Sequence, residues 1–306
     1  MRESRIIVVG SLNMDMVVQA DRIPNPGETV LGGTFFMSTG GKGANQAVAA
    51  ARLGGNAAMI GKIGRDIFGS RYLQAIQEEG IDIQGIEQDS EEPSGIALVI
   101  VERSGENAIV VAPGANAGLR PEDVEQQFHR YPEGKILLLQ LEIPMETVVF
   151  AAQQAKKRGM LVLLNPAPAN DAVTSLFPLI DIITPNLHEA EQMTGVKITD
   201  IASAKCAAQY LSAKGVRHVV ITLGELGAVL LDDGEFHHVP VPRVTALDTT
   251  AAGDVFNGAL AAAIIQEKSL VDATAFACKA AAIAVTRLGA QSSIPYLHEV
   301  MQYQET

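Results

Sequence analysis

Tryptophan is absent from this chain, and aromatic residues of every kind make up only 5% of it. A core without large rings must be built from small aliphatic side chains. The abundance of Ala, Gly, Val and Ile suits helices packed on a parallel sheet. Cysteine is nearly absent too: Cys206 and Cys278 are the only two in 306 residues. They form neither a disulfide framework nor a zinc-ligand spacing. Positive charge is scarce. Lys and Arg number 23 against 35 Asp and Glu, a net charge of −12. Nothing supplies a basic stripe for a nucleic-acid backbone, so nucleic acid is excluded as a partner. A small anion needs only a local site and is not excluded. No apolar run approaches the roughly 20 residues of a membrane-spanning helix. The opening Met1-Arg2-Glu3-Ser4-Arg5 contains an acid and leads into a short apolar run, unlike a secretory leader. A soluble, cytoplasmic protein with no membrane partner is expected. His129, His188, His218, His237, His238 and His298 stand in no metal or triad spacing and receive no role.

Strand and helix patterns alternate over most of the chain. Residues 5–11 read as a buried first strand, and 57–63, 136–141, 161–164, 180–184, 218–222 and 228–231 as further strands. Helical patterns cover 43–53, 67–79, 145–157, 187–194, 203–214, 255–265 and 271–287. The alternation fails twice. Residues 15–39 and 93–113 offer extended segments with no helix between them, the second with a hairpin turn at Arg103-Ser104-Gly105-Glu106. The expected fold is α/β: a Rossmann-like open, mostly parallel sheet flanked by helices. A small β-sheet lid is built from two insertions, about 13–39 and 93–113, within a single domain spanning 1–306. Ligands of such sheets bind at the carboxyl ends of the strands. That rule draws Ser11–Asp15, Gln140–Glu142, Asn165, Asn186 and the turn after Thr222 around one cleft.

The stretch most loaded with chemistry is Asp248-Thr249-Thr250-Ala251-Ala252-Gly253-Asp254. Small residues run into an aspartate, and a long apolar helix follows. A helix N-terminus presents unpaired N–H groups and the positive end of its dipole, and small residues let a phosphate approach them. Asp254 at that edge is either an N-cap or a base that takes the proton of a hydroxyl attacking the bound phosphoryl group. Gly40-Gly41-Lys42-Gly43-Ala44-Asn45 is a Gly-rich strand-to-helix turn whose Lys42 and Asn45 can donate to hydroxyls or phosphates. It is not a P-loop, and Gln46 at the third glycine position excludes the dinucleotide fingerprint. Asn13 and Asp15 lie one residue apart, on one side of an extended segment, and suit a vicinal diol or a polar turn. Glu142 is a cleft carboxylate or a solvated acid. Asn186 and Glu189 have capping-box spacing, which is compatible with a role near Mg²⁺-bound water. Thr222, Gly224 and Gly227 mark a turn that suits a nucleotide or nothing more.

Together these segments resemble the ribokinase-like (PfkB-type) carbohydrate kinases. The resemblance rests on residues 40–47, 186–189 and 248–254, and runs along essentially the whole chain. It is strengthened by residues 10–15, 165–169 and 284–291, which point to the ribose-phosphorylating members. It implies transfer of phosphate from ATP, with Mg²⁺, to the 5-hydroxyl of D-ribose, and a homodimer formed through the lids. By this resemblance Asp254 is the base and the N–H groups of Ala251, Ala252, Gly253 and Asp254 are the anion hole. Asn13, Asp15, Gly41, Lys42, Asn45, Glu142 and Asp254 fall at sugar-binding positions. Asn186, Thr222, Gly224, Gly227, Gly253 and Cys278 fall on the nucleotide side, and Glu189 near Mg²⁺. Asp248, Thr250, Ala284, Arg287, Gly289 and Ser293 match a site for K⁺, an activating monovalent cation; Arg287 serves there only through its carbonyl. Ala251 stands where many members have Gly, and is strained if the position needs positive φ. The alternatives are a sibling kinase for 2-deoxyribose or another furanose or nucleoside, and a non-catalytic sugar-binding protein.

Overall fold

A computed structural model describes residues 4–102 and 107–303. The turn proposed at 103–106 lies outside the described residues. The chain opens with β1 (Arg5–Val9), whose Ile6 and Val8 face one layer of the core and Ile7 and Val9 the other. A strand covered by helices on both faces reads as a continuous apolar run, as this one does. Then come β2 (Asn13–Ala20), β3 (Phe35–Gly40), α1 (Lys42–Arg52), β4 (Ala57–Gly64), α2 (Ile67–Glu78) and β5 (Asp82–Asp89). Next are β6 (Gly95–Glu102), β7 (Asn107–Ala112), α3 (Pro121–Phe128), β8 (Gly134–Leu139), α4 (Met145–Lys157) and β9 (Leu161–Leu164). They are followed by β10 (Ile182–Ile183), α5 (Leu187–Thr194), α6 (Ile201–Ala213), β11 (His218–Thr222), β12 (Ala228–Asp232) and β13 (Glu235–Val239). The chain finishes with α7 (Ala252–Ile265), α8 (Leu270–Ala284) and α9 (Leu297–Gln302).

The main sheet has the order β13-β12-β11-β10-β9-β8-β1-β4-β5. It is parallel from β5 to β11, and β12 and β13 add antiparallel at one edge. From β1 the chain builds outward through β4 and β5 on one side. It later builds through β8, β9, β10 and β11 on the other. The order therefore reverses between β1 and β8, and connections diverge there to leave a crevice at the strands' carboxyl ends. A second sheet, β3-β2-β6-β7, is formed by the two segments that break the alternation. Its register sets Asn13 against Gly40 and Gly95, and Asp15 against Ser38 and Ala97.

The expected α/β class and its smaller sheet are observed. Local bounds differ. The second strand begins at Asn13, two residues earlier than read, and residues 30–34 are irregular. β5, β13, α3 and α9 were not expected. β5 (Asp-Ile-Gln-Gly-Ile-Glu-Gln-Asp) is an edge strand and half exposed, so it lacks the apolar run of its neighbours. Among the described residues no helix is long and apolar enough to cross a membrane.

Candidate active site

The crevice at the β1/β8 junction is where the expected residues meet. Ser11, just past β1, donates from Oγ to Glu142 Oε2 at 2.6 Å, and the Lys42 N–H donates to the same oxygen at 3.0 Å. Glu142 thus ties the ends of β1 and β8 to the start of α1. Gly41 makes this junction possible. Its φ is 87°, and a Cβ there would lie 2.8 Å from the Asn13 nitrogen and 3.0 Å from the Ser11 oxygen. Any L-residue would be strained and also clash.

Asp254 sits in the first turn of α7, 6% exposed. Asn45 Nδ2 donates to its Oδ2 at 3.0 Å, and Gln46 Nε2 donates to its Oδ1 at 2.9 Å. These partners are more than 200 residues away in sequence, and packing explains how they arrive. Gly258, one turn after Asp254, lets α1 press against α7. A Cβ on it would lie 2.5 Å from Ala49 Cβ and 2.5 Å from the Gln46 oxygen. Asn45 and Ala49 are themselves one turn apart, so the same close crossing carries the amides to the carboxylate. Burial pushes the Asp254 carboxyl up. Lys42 and the two amides oppose the rise without cancelling it.

Asp254 is not an N-cap. The cap position is Ala251, with no side-chain cap bond. Ala252 N–H is engaged by the Thr249 carbonyl at 3.2 Å. The Gly253 and Asp254 amides have no acceptor among the described residues, and the space over Gly253 is open. Ala251 has φ 61° and ψ 8°, the left-handed conformation suspected from the sequence. A non-Gly residue there costs roughly 1–2 kcal/mol. Ala251→Gly should therefore raise stability by about 1 kcal/mol and leave turnover within a few-fold. Chemical denaturation and a turnover assay check this; a collapse of activity would show that the Ala methyl is required.

Asp15 shares the crevice. A Cβ on Gly40 would land 2.1 Å from its Oδ2, so the glycine leaves room for the carboxylate. Burial pushes its carboxyl up to about 7, helped by the Glu142 and Asp254 carboxylates. Asn13 is 3% exposed, and its Oδ1 accepts from Asn116 Nδ2 at 2.9 Å. Asn116 also accepts the Leu12 N–H at 2.8 Å. This fixes the Asn13 amide with its NH₂ free to donate. Lys42 Nζ has no ion-pair partner within 4 Å among the described residues. Burial pulls its ammonium down, but Asp254, Glu142 and Glu189 outweigh burial and hold it above the usual lysine value.

Asn186 and Glu189 form a reciprocal capping box at the start of α5, with both bonds 2.9 Å. Burial and the Asp254 carboxylate push Glu189 up, against the Asn186 N–H and Lys42. Asn186 is bridged to Thr222, and Gly224 and Gly227 (φ 58° and 82°) turn the chain just beyond. Cys278 does not join them at the surface. It lies in α8, 4% exposed and within the core, so it offers little to a ligand. Asp248 Oδ1 accepts the Thr250 N–H at 2.9 Å and its Oδ2 the Gly289 N–H at 2.8 Å. Burial raises its carboxyl, but these hydrogen bonds prevail and hold it low. The Arg287 guanidinium turns away to Glu299 at 2.6 Å. Ala284 offers its carbonyl to Arg287 N–H at 3.0 Å, and buried Ser293 donates to the Ala290 carbonyl at 2.8 Å.

The sequence reading missed Gln46, Asn116 and Asn257 as members of the site. Only the absence of a third glycine drew attention to Gln46. His218, Asp232 and Asp233 cluster at the opposite ends of β11 and β12, far from this crevice in the sheet. Arg217 already pairs with Asp233.

A buried carboxylate beside unpaired amides at a helix start, with a free ammonium and a second carboxylate on a small sheet, is an arrangement that can carry phosphoryl transfer to a hydroxylated substrate. Residues 3–297 match the model of the pfkB family carbohydrate kinases, and the chain belongs to that family. It is 46% identical to a ribokinase of Haemophilus influenzae over 98% of each chain, and 36% identical to a deoxyribokinase of Salmonella typhi over 97% of this chain and 98% of that one. The structure of Arabidopsis thaliana ribokinase complexed with ribose and ATP superposes with a TM-score of 0.90, at 31% identity and 98% coverage of both chains. Kinases of this family take their phosphoryl group from ATP accompanied by a divalent metal ion.

Proposed function

We propose that this protein transfers the γ-phosphoryl group of ATP to the 5-hydroxyl of D-ribose. The observation that carries the reading is Asp254, a buried carboxylate held by two amides at the open start of α7. Asp254 takes the proton as the sugar oxygen forms its bond to phosphorus. The bond between phosphorus and the bridging oxygen breaks, and ADP leaves. The free amides of Gly253 and Asp254, with Lys42, stabilise charge on the phosphoryl oxygens. Asn13, Asp15, Gly41, Asn45 and Glu142 line the sugar side. Asn186, Thr222, Gly224 and Gly227 line the nucleotide side. ADP release with a panel of pentoses and hexoses tests the reading; no release with any of them would overturn it. A non-catalytic binder has no use for a base at its anion hole. A second reading, phosphorylation of 2-deoxyribose, is favoured by the similarity to the Salmonella deoxyribokinase.

Mg²⁺ fits near Glu189. One of its oxygens is taken by the capping bond and the other has no hydrogen bond among the described residues, and a cation would offset the burial and the Asp254 charge that raise it. Bound with ATP, Mg²⁺ supplies charge neutralisation of the phosphates. A K⁺ site made of the Asp248 carboxylate, Ser293 and the carbonyls of Thr250, Ala284, Arg287 and Gly289 is supported by the bonds Asp248 accepts from the Thr250 and Gly289 N–H groups, which tie the two loops together. The Arg287 guanidinium is neutralised elsewhere and does not oppose a cation. Asp248 also braces Thr250, next to the anion hole. Turnover is expected to rise several-fold when K⁺ replaces Na⁺ at fixed ionic strength and Mg²⁺. Equal rates in the two salts would leave Asp248 as a turn former.

The small sheet acts as a lid in this reading, and pairs with a second copy to give a homodimer. Its apolar side chains stay exposed on both faces. Phe36 and Ile109 are 42% and 55% exposed on the Asp15 face, and Leu98 and Val110 are 48% and 67% exposed on the other. So much open apolar surface on a small sheet calls for cover. Sedimentation should give a dimer, and a double change of Ile109→Asp with Val110→Asp should give monomers. A monomeric parent protein would refute the pairing. The cytoplasm, where ATP is held, is the compartment that goes with this activity; cell fractionation tests it.

A further inference from the structure

Gln46 is wholly buried, and every one of its amide bonds ends on a group of the site. Nε2 donates to Asp254 Oδ1 at 2.9 Å and to Asn165 Oδ1 at 3.1 Å, and Oε1 accepts from Gln140 Nε2 at 2.6 Å. Asp254 and Asn165 fix which way the amide faces, since the Asn165 NH₂ is itself turned to the Thr184 carbonyl. A flipped Gln46 would turn its own oxygen on the Asp254 carboxylate and on Asn165 Oδ1. Asn45, the other amide on Asp254, is not fixed in this way, because its Oδ1 is buried without a partner.

The contacts continue beyond Asn165. Asn165 Nδ2 donates to the Thr184 carbonyl at 3.3 Å, and the Thr184 hydroxyl donates to Asn257 Oδ1 at 2.5 Å. Asn257 Nδ2 then donates to the Gly253 carbonyl at 2.8 Å, one residue before Asp254. The chain of bonds leaves the Asp254 carboxylate, crosses the ends of β9 and β10, and returns to the backbone of the same turn. Gln46, Asn165, Thr184 and Asn257 are all more than nine-tenths buried. A satisfied polar network in that setting is rigid, and the loss of one member is felt along it.

We propose that Gln46 is the positioning residue of the transfer: its amide aims Asp254 at the sugar hydroxyl and, through Asn165, Thr184 and Asn257, locks that carboxylate to the amides that receive the phosphoryl group. The proposal rests on the reading of Asp254 as the base. Gln46 touches neither substrate. Its effect is on alignment, to which transfer rates are steeply sensitive. Its hydrogen bond also favours the charged form of Asp254. The other ionisable groups facing Asp254 are Asp15 on β2, Lys42 on α1, Tyr72 on α2, Glu142 after β8 and Glu189 on α5. None of them is altered by a change at Gln46.

The test is Gln46→Met, which keeps the length and removes the amide, assayed by ADP release with ribose across pH and normalised to the fraction that binds ADP. The expected result is a kcat about 10²-fold lower, KM values for sugar and ATP within a few-fold, and an acid limb of the rate profile moved to higher pH. Thr184→Val, which strips one hydroxyl remote from Asp254, guards against misfolding of the first variant. It should give a smaller kcat loss, again without a KM change. A parent protein that releases no ADP with any sugar removes the reading of Asp254 itself. An active parent with an unmoved acid limb in Gln46→Met, and kcat per ADP-binding site unchanged in both variants, makes Gln46 a packing residue and overturns the proposal.

Discussion

Asp254→Asn is expected to lower kcat by about 10²–10⁴, the usual worth of a general base, while ADP binding and the fold persist. The site can accommodate the change. The new NH₂ needs an acceptor, and Asn45 can provide one by turning its amide, since its buried Oδ1 has no partner. Gln46 is held by Asn165, whose NH₂ is committed to the Thr184 carbonyl, so the remaining oxygen would stay on that side. The variant should thus escape the full penalty of a buried unpaired donor, about 1–3 kcal/mol. Single-turnover kinetics with a thermal melt separate the two effects. Turnover within a few-fold of the parent protein would mean that Asp254 only fills the helix start.

The second large effect is expected at Asp15. In our reading its carboxylate accepts hydrogen bonds from the 2- and 3-hydroxyls of ribose, with the NH₂ of Asn13 beside it. A site built for a hydroxyl can reject the analogue lacking it by as much as about 10⁴–10⁵. Water entering the cleft lowers that figure. kcat/KM should fall in the order ribose, 2-deoxyribose, hexoses, and Asp15→Ala should weaken ribose strongly and narrow the gap to 2-deoxyribose. The pH dependence has a definite sign. Burial beside Glu142 and Asp254 pushes Asp15 up to about 7, and the charged form is the one that grips the diol. KM for ribose should therefore fall as pH rises from about 6 to 8, and flatten in Asp15→Asn. The same raised carboxyl gives stability that is fully present below the ordinary aspartate range and is lost as pH rises through 7. The protein without sugar should accordingly melt lower at pH 8 than at pH 5, less so in Asp15→Asn. A preference for 2-deoxyribose, or an unchanged gap in Asp15→Ala, would transfer the argument to the sibling kinase.

Much of this was legible in the sequence because local rules govern it. Apolar runs such as Ile6-Ile7-Val8-Val9 mark strands covered on both faces, and small residues before Val255 mark a helix start open to an anion. The two lapses in alternation, around residues 15–39 and 93–113, fall on the segments that form the small sheet. The suspected left-handed Ala251 is left-handed. Elements with weak patterns were missed: β5 is polar and at an edge, and α9 is a helix of only a few residues.

What the sequence by itself determined is the inventory: strand ends, Gly-rich turns, an aspartate at a helix start, and the family these match. What only the tertiary structure decided is which amides hold that aspartate. Gln46 looked like the residue that spoiled a dinucleotide fingerprint, yet it lies against Asp254 across 208 residues of chain. The cause is the contact of α1 with α7, where Gly258 lets two helix backbones approach more closely than any side chain would permit. Such an approach depends on the shapes of both surfaces at once, and neither segment records it alone.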